Sequence, residues 1–335
     1  MSEIRQDPIT KEWVIMAKER AKRPHEFVSQ QAKPELPAFS PSCPFCPGNE
    51  AMTLPEILSY SNQTSQGWQV RVFANRFPAL TPQGSTVRRE EEGVFLGMDG
   101  IGVHEVIVET PLHNKPLALM DDSSVEDVLL AYRERYNALS CLPFVKSITI
   151  FKNHGLSAGT SLEHPHSQLV ALPVVPRHIR IRHEVAIRYY DDTGRCLYCD
   201  LLDSEIRTGK RLVMETEKFV VICPFASCRA FETWIMPKMH QACFGNASTE
   251  ELGNLAHVLR ITLLKLYRGL DNPDFNYVID SASPEGESKN YYLWHLRIIP
   301  RLTEVAGFEL GSGIYINSAL PEETAQFMRE LKIEE

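Results

Sequence analysis

Glu163-His164-Pro165-His166-Ser167-Gln168 leads directly into an apolar, strand-like stretch, Leu169 to Val175. In an extended backbone, residues two apart share a face. His164, His166 and Gln168 therefore form one row, stiffened by Pro165, while Glu163, Ser167 and Leu169 face the other way. Such a row offers a metal ligand, a nucleophile and a hydrogen-bond donor. In its plainer reading it is a half-buried strand with two satisfied histidines. The rest of the chain decides between the two.

Outward from this row, strands are predicted at 69–73, 103–109, 147–152, 168–175, 219–222, 233–236, 276–279 and 292–299. Long helices are predicted from Ser124 to Cys141 and from Thr249 to Leu270, the second opened by a Ser248-x-x-Glu251 capping box, with a shorter one from Pro321 to Leu331. The Pro- and Ser-rich segment Gln30 to Pro47 reads as loop, as does Arg88 to Glu92 with the glycines at 93, 97, 100 and 102. Each half presents the same order of signals: a Cys-x-x-Cys, a Phe-containing strand, a strand closing on histidine, a helix, a strand and a last histidine-bearing strand. This order marks an internal duplication. His104 to His113 aligns without a gap against Phe231 to His240, and His164 to Gln168 against His295 to Ile299. On this alignment Arg297 takes the place of His166, which leaves His166 as the one central imidazole.

The bulk properties limit what the row can serve. At 335 residues and 43% hydrophobic, the chain is long enough for one large domain or two of ordinary size. A net charge of −8 argues against a general nucleic-acid surface, so any phosphate site must be built locally. There is no apolar run long enough to span a bilayer and no basic-then-apolar leader at the N-terminus, so no membrane partner and a cytoplasmic address are expected. Eight cysteines in a reducing compartment do not suggest a disulfide framework, and four of them form the pairs Cys43/Cys46 and Cys196/Cys199. A Cys-x-x-Cys alone also fits a redox pair. Paired with duplicated histidines, the two become tetrahedral Cys₂His₂ sets suited to zinc: Cys43, Cys46, His113 and His164, then Cys196, Cys199, His240 and His295. Four protein ligands leave no open position, so such ions are structural and brace the strand carrying His166.

A free imidazole on a braced strand suits nucleophilic attack on phosphorus, which divides one transfer into two through a phosphoramidate. Gln168 on the same face is a donor for the phosphoryl oxygens. Just upstream, Phe151 to Ser161 holds Asn153, Gly159, Thr160 and Ser161 in a glycine-bearing loop with the composition of an anion cradle, or of an ordinary turn. Arg20-Ala21-Lys22-Arg23-Pro24 offers guanidinium groups for a diphosphate, or a solvated basic surface.

Cys43-Pro44-Phe45-Cys46, Arg20 to Pro24, Asn75-Arg76-Phe77-Pro78-Ala79-Leu80, His113 and His164 to Gln168 together resemble the galactose-1-phosphate uridylyltransferases, the transferase branch of the histidine triad superfamily. The resemblance implies an α+β fold of two fused histidine-triad-like halves, 1–176 and 177–335, with helices on an antiparallel-rich sheet, usually as a homodimer. It implies double displacement through a nucleotidylated His166. Gln168, Ser161, Gly159 and Asn153 would hold the phosphoryl group, Arg20 and Arg23 the diphosphate, and Asn75 with Phe77 the nucleoside. The implied partners are a nucleotide sugar and a sugar phosphate or inorganic phosphate. Ser167 stands where the family usually has Gly, and Arg76 where it has Asp. Thr303 and Tyr315 stand where the family has its sugar-binding Lys and Gln. In these respects the chain is similar to the ADP-glucose phosphorylase relatives, which move an adenylyl group to phosphate. The expected activity is uridylyl exchange between UDP-glucose and galactose 1-phosphate, with adenylyl transfer from ADP-glucose as the near alternative. A silent zinc-braced nucleotide-binding scaffold is the alternative from another class.

Overall fold

The computed structural model describes residues 2–20, 24–27, 33, 35–61, 67–282 and 289–333. Its strands are β1 (Glu3–Gln6), β2 (Trp13–Met16), β3 (Glu56–Ser61), β4 (Trp68–Ala74), β5 (Arg89–Glu91), β6 (Phe95–Gly97), β7 (Val103–Val108), β8 (Ser147–His154), β9 (His166–Leu172), β10 (Leu212–Glu215), β11 (Phe219–Ile222), β12 (Thr233–Pro237), β13 (Phe275–Asp280), β14 (His295–Pro300) and β15 (Tyr315–Asn317). The helices are α1 (Asp122–Ser140), α2 (Arg177–Thr193), α3 (Leu197–Thr208), α4 (Thr249–Gly269), α5 (Gly307–Ser312) and α6 (Pro321–Glu330). No helix among the described residues is long and apolar enough to cross a membrane.

Ten strands form one antiparallel sheet in the order β3-β4-β7-β9-β8-β13-β14-β12-β11-β10. Read outward from the β8–β13 seam, both sides have the same connectivity, so the fold is a duplicated histidine-triad-like α+β unit. Helices α1 and α4 bury one face of this sheet. Val125 and Leu129 of α1 and Leu255 and Leu259 of α4 share a core with Ile107, Ile150, Leu169, Ile235, Ile279 and Leu296. The predicted capping box opens α4, with Ser248 and Glu251 each accepting the other's backbone N–H.

The duplication holds, but its register corrects the gapless alignment. The outer strand pair of each half carries the same bulge, between Glu56↔Phe73 and Leu58↔Val72 in the first and between Leu212↔Ile222 and Met214↔Val221 in the second. Val72 therefore matches Val221. Inward along the ladders, Ile107 matches Ile235 and Ser167 matches Leu296. The alignment of His104 to His113 with Phe231 to His240 is thus one residue out on these strands, and a one-residue slip would turn the core side of β12 outward. On β9 and β14 the correction is two residues. His295 is the counterpart of His166, Arg297 of Gln168, and Leu293 of His164.

Other differences are local. The segment expected as loop at 88–102 contains the β5–β6 hairpin. Helix α2 went unread because its seventeen residues bury only Ile179, Arg182 and Ala186, too few to set a periodic apolar stripe.

Candidate active site

Strand β9 begins at His166, so His164 and Pro165 precede it and the expected row divides. His164 Nε2–H donates to the Thr110 carbonyl (2.8 Å), which turns its Nδ1 toward Cys43 Sγ (3.7 Å) and Cys46 Sγ (3.6 Å). His113 Nδ1 lies 3.6 Å from Cys46 Sγ. These four residues are buried, and their ligand atoms all fall within 4.8 Å of one another. Two sulfurs and two imidazole nitrogens, with one ring's tautomer already fixed by a carbonyl, fit a soft tetrahedral cation. Burial, joined by the neighbouring Cys46 sulfur, pushes the Cys43 thiol up, so the set calls for a metal charge to hold it as thiolate.

His166 is held through the same loop. Its Nδ1–H donates to the His164 carbonyl at 2.8 Å, because a carbonyl can only accept, and this leaves Nε2 as the unprotonated nitrogen with a free lone pair. Phe45, between the two cysteines, meets the His166 ring edge-on at 5.2 Å. Burial lowers the His166 pKa, partly offset by the bond to His164, so the ring is held neutral.

Behind this strand, on the helix side, lies a buried polar cluster that sequence reading did not identify. Lys152 Nζ donates to Glu109 Oε2 (2.5 Å) and to the His166 carbonyl (3.2 Å). The Tyr132 hydroxyl lies 2.6 Å from Ser167 Oγ, 2.5 Å from the Tyr277 hydroxyl and 3.3 Å from Glu109 Oε1. Ser167 therefore points away from the His166 face. Lys152 on β8 and Glu109 just past the end of β7 continue alternating positions otherwise filled by core residues, and a charge of each sign there was the available signal.

Gln168 shares the His166 face and is anchored by His104, a second residue that sequence reading passed over. His104 Nδ1 accepts the Ala79 N–H (3.3 Å), so Nε2 carries the proton and donates it to Gln168 Oε1 (2.8 Å). That leaves the Gln168 NH₂ group free to donate. Asn75 Nδ2 lies 3.1 Å from the same His104 nitrogen, while Asn75 Oδ1 accepts the Phe77 N–H (2.9 Å). The signal was alternation: His104 lies on the same face as Val106 and Val108 of the strand paired with β9.

The glycine-bearing loop follows β8. Gly155 and Gly159 have φ of +86° and +87°. Asn153 Oδ1 accepts from Asn276 Nδ2 (2.8 Å), and the Thr160 hydroxyl closes the loop by donating to the Asn153 carbonyl (2.9 Å). Ser161 is exposed, and Phe77 is 85% exposed. The Arg20 side chain and all of Arg23 lie outside the described residues.

In the second half Cys196, Cys199 and His240 come together, with His240 Nδ1 3.2 Å from Cys199 Sγ. The Cys199 hydrogen bond pulls Cys196 down to about 6. His295, expected as the fourth ligand, stands apart from this group. Its Nδ1–H donates to the Leu293 carbonyl (3.0 Å), its Nε2 is 3.5 Å from Asp280 Oδ2, and its ring stacks on Trp234 at 4.8 Å. The register explains this: His295 occupies the place of His166, and the place of His164 is filled by Leu293.

The family model of the galactose-1-phosphate uridyl transferase N-terminal domain matches residues 1–176. An ADP-glucose phosphorylase of Arabidopsis thaliana is 36% identical over 335 residues, 99% of this chain and 93% of its own. A galactose-1-phosphate uridylyltransferase of Thermotoga maritima is 32% identical over the full length of both chains. Among solved structures, an Arabidopsis thaliana ADP-glucose phosphorylase with bound ADP-glucose superposes with a TM-score of 0.84 at 33% identity, covering 100% of each chain. The chain is therefore an enzyme of the galactose-1-phosphate uridylyltransferase family.

Proposed function

We propose that this enzyme transfers a uridylyl group between UDP-glucose and galactose 1-phosphate by double displacement on His166. The observation that carries the proposal is the His166 Nδ1–H bond to the His164 carbonyl, which leaves Nε2 unprotonated on a strand braced by the Cys43 loop. Nε2 attacks the α-phosphorus of UDP-glucose, the phosphorus–oxygen bond to the β-phosphate breaks, and glucose 1-phosphate leaves with that oxygen. A phosphate oxygen of galactose 1-phosphate then attacks the uridylyl-histidine, releasing UDP-galactose and restoring the imidazole. The NH₂ group of Gln168 donates to the phosphoryl oxygens, joined by Asn153, Gly159, Thr160 and Ser161 of the β8 loop. Arg20 and Arg23 meet the diphosphate, and Asn75 with Phe77 line the nucleoside pocket.

Cys43, Cys46, His113 and His164 would hold a structural zinc, and when bound that ion fixes the loop carrying Phe45 and His164. Cys196, Cys199 and His240 would supply three ligands of a second. The halves 1–176 and 177–335 divide the work, the first carrying the nucleophile. A homodimer in the cytoplasm is the assembly and address we propose.

A second reading, adenylyl transfer from ADP-glucose to inorganic phosphate, is favoured by the 36% identity to the Arabidopsis ADP-glucose phosphorylase. Intact-mass analysis after mixing with each donor separates the two. A uridylyl adduct on His166 supports the first, an adenylyl adduct supports the second, and His166→Ala must form neither. If wild-type protein forms no adduct with either donor, both readings fall and the silent scaffold stands.

A further inference from the structure

A cavity of about 260 Å³ lies against the second half, on the sheet face that carries His166 in the first half, and is closed by Asp7, Thr10 and Glu12 of the N-terminal segment. Its position follows from the duplication. Continued past β4 and β11, the register set by the shared bulge matches Asn75, Phe77 and Ala79 to Pro224, Ala226 and Cys228, and all three of these line the cavity. Arg297, the counterpart of Gln168, lines it as well. The cavity is thus the second half's version of the cleft beside His166. The counterpart imidazole, His295, is buried and does not line it, and Asp280 holds Arg182 (2.9 Å) and Arg297 and faces His295. A carboxylate of the chain itself fills the position next to the row.

Two other guanidinium groups at the cavity are left without a counter-ion. Arg229 lies over the Tyr315 ring at 4.9 Å, and Arg301 Nε donates to Asn276 Oδ1 (2.5 Å). Among the described residues neither has a carboxylate within ion-pair distance. The acids at the cavity are already engaged: half-buried Asp7 accepts the N–H groups of Ile9 and Thr10 through Oδ1, and buried Glu232 accepts from Cys228 N and Trp234 Nε1. Glu12 is exposed at the rim. Partial desolvation where its guanidinium meets the cavity wall, together with the neighbouring Arg229, lowers the Arg301 pKa, the condition that a shared anion relieves.

We infer that this cavity is a second anion site, taking a phosphate group between Arg229 and Arg301. Its volume is below the roughly 300–1,000 Å³ of pockets that enclose drug-sized ligands, so it suits inorganic phosphate or a hexose phosphate and not a whole nucleotide sugar. Arg301 also connects it to the first half, through Asn276 to Asn153.

The test is calorimetric titration of the full chain with inorganic phosphate and, separately, with glucose 1-phosphate at fixed ionic strength. Two anion-binding events per chain are expected in wild type. Arg229→Gln/Arg301→Gln should weaken one of them by about tenfold or more, as for loss of charge-assisted hydrogen bonds. Arg229→Gln alone, whose side chain lies over Tyr315 and makes no bond toward Asn153, should weaken the same event and leave adduct formation on His166 within about twofold of wild type. Tighter binding of the sugar phosphate would identify it as the ligand, and equal binding would point to phosphate alone. A double variant that titrates like wild type, or wild type with a single event, overturns the inference. Should the double variant fail to fold, Arg301→Gln, at an exposed position, carries the same test. If wild type forms no adduct, the transfer reading fails while the titration still decides this one.

Discussion

Lys152 and Glu109 form a fully buried ion pair, with side chains 2% and 0% exposed, directly behind the strand that carries His166. Removing one partner of such a pair strands a charge and costs about 3–5 kcal/mol, whereas replacing both with apolar residues of similar volume is often neutral or stabilising. Lys152→Met should therefore lower the unfolding free energy by about that amount, and Lys152→Met/Glu109→Leu should recover most of it in urea titrations. The transfer rate should not recover in the double variant, because the His166 carbonyl still lacks the Lys152 ammonium. A double variant with both wild-type stability and wild-type rate would show that the pair serves the fold alone. Ser167 belongs to the same cluster. Its hydroxyl meets Tyr132 and not the His166 face, so the serine in place of the usual glycine acts on the packing of β9 and not on contact with the base.

At the scale of elements, the loop after β8 depends on Gly155. A Cβ there would fall 1.9 Å from Asp274 Oδ1 at a φ of +86°. Asp274 in turn accepts from the backbone N–H (2.8 Å) and hydroxyl (2.7 Å) of Ser157 and from Lys33. Gly155→Ala should displace Asp274, open the loop and cost about 1–3 kcal/mol of backbone strain. The rate of His166 adduct formation should drop by about tenfold or more while zinc uptake at the Cys43 cluster matches wild type, and an unchanged rate would remove the loop from the site. Apolar alternation and end signals made β11, α4 and α6 legible, since their buried faces dictate the pattern. The equivalence of the halves was legible as an order of signals but not in register. Ladder pairing and a bulge in each half fix the register, and neither leaves a mark in a single strand. The consequence was specific: His295, read as a metal ligand, belongs with His166. Helix α3 was hidden for a related reason, because its first turn holds Cys199 and the Cys-x-x-Cys reads more readily as a turn.

For the whole molecule, acid is the first stress to consider. Burial lowers the pKa of both His154 and His295 to about 4, from an ordinary value near 6.5. A histidine whose folded pKa is depressed must bind its proton in the unfolded chain first. Its stabilising effect is thus complete above about 6.5 and is lost as pH falls toward 4, at about 1.4 kcal/mol per pH unit for each ring. Asp280 does not offset this, since its carboxyl is held well below the usual range and would give up stability only below about pH 4. Urea unfolding should show stability dropping between pH 6.5 and 5. His154→Phe, which keeps an aromatic ring against Phe275, should flatten that slope by about one proton, and an unchanged slope would exclude His154 as a source. Metal removal should act differently, because the Cys43 cluster touches the site at two points and the α1 and α4 core at none. Without a cation, the buried sulfurs take up protons and the Cys43–Cys46 loop loses its tie to His164, so Phe45 and the His164 carbonyl both release the His166 ring. Chelation at neutral pH should abolish adduct formation while far-ultraviolet circular dichroism still reports the ten-stranded sheet, and zinc should restore the rate. If the sheet is lost together with the activity, the metal is holding up the fold and not the nucleophile.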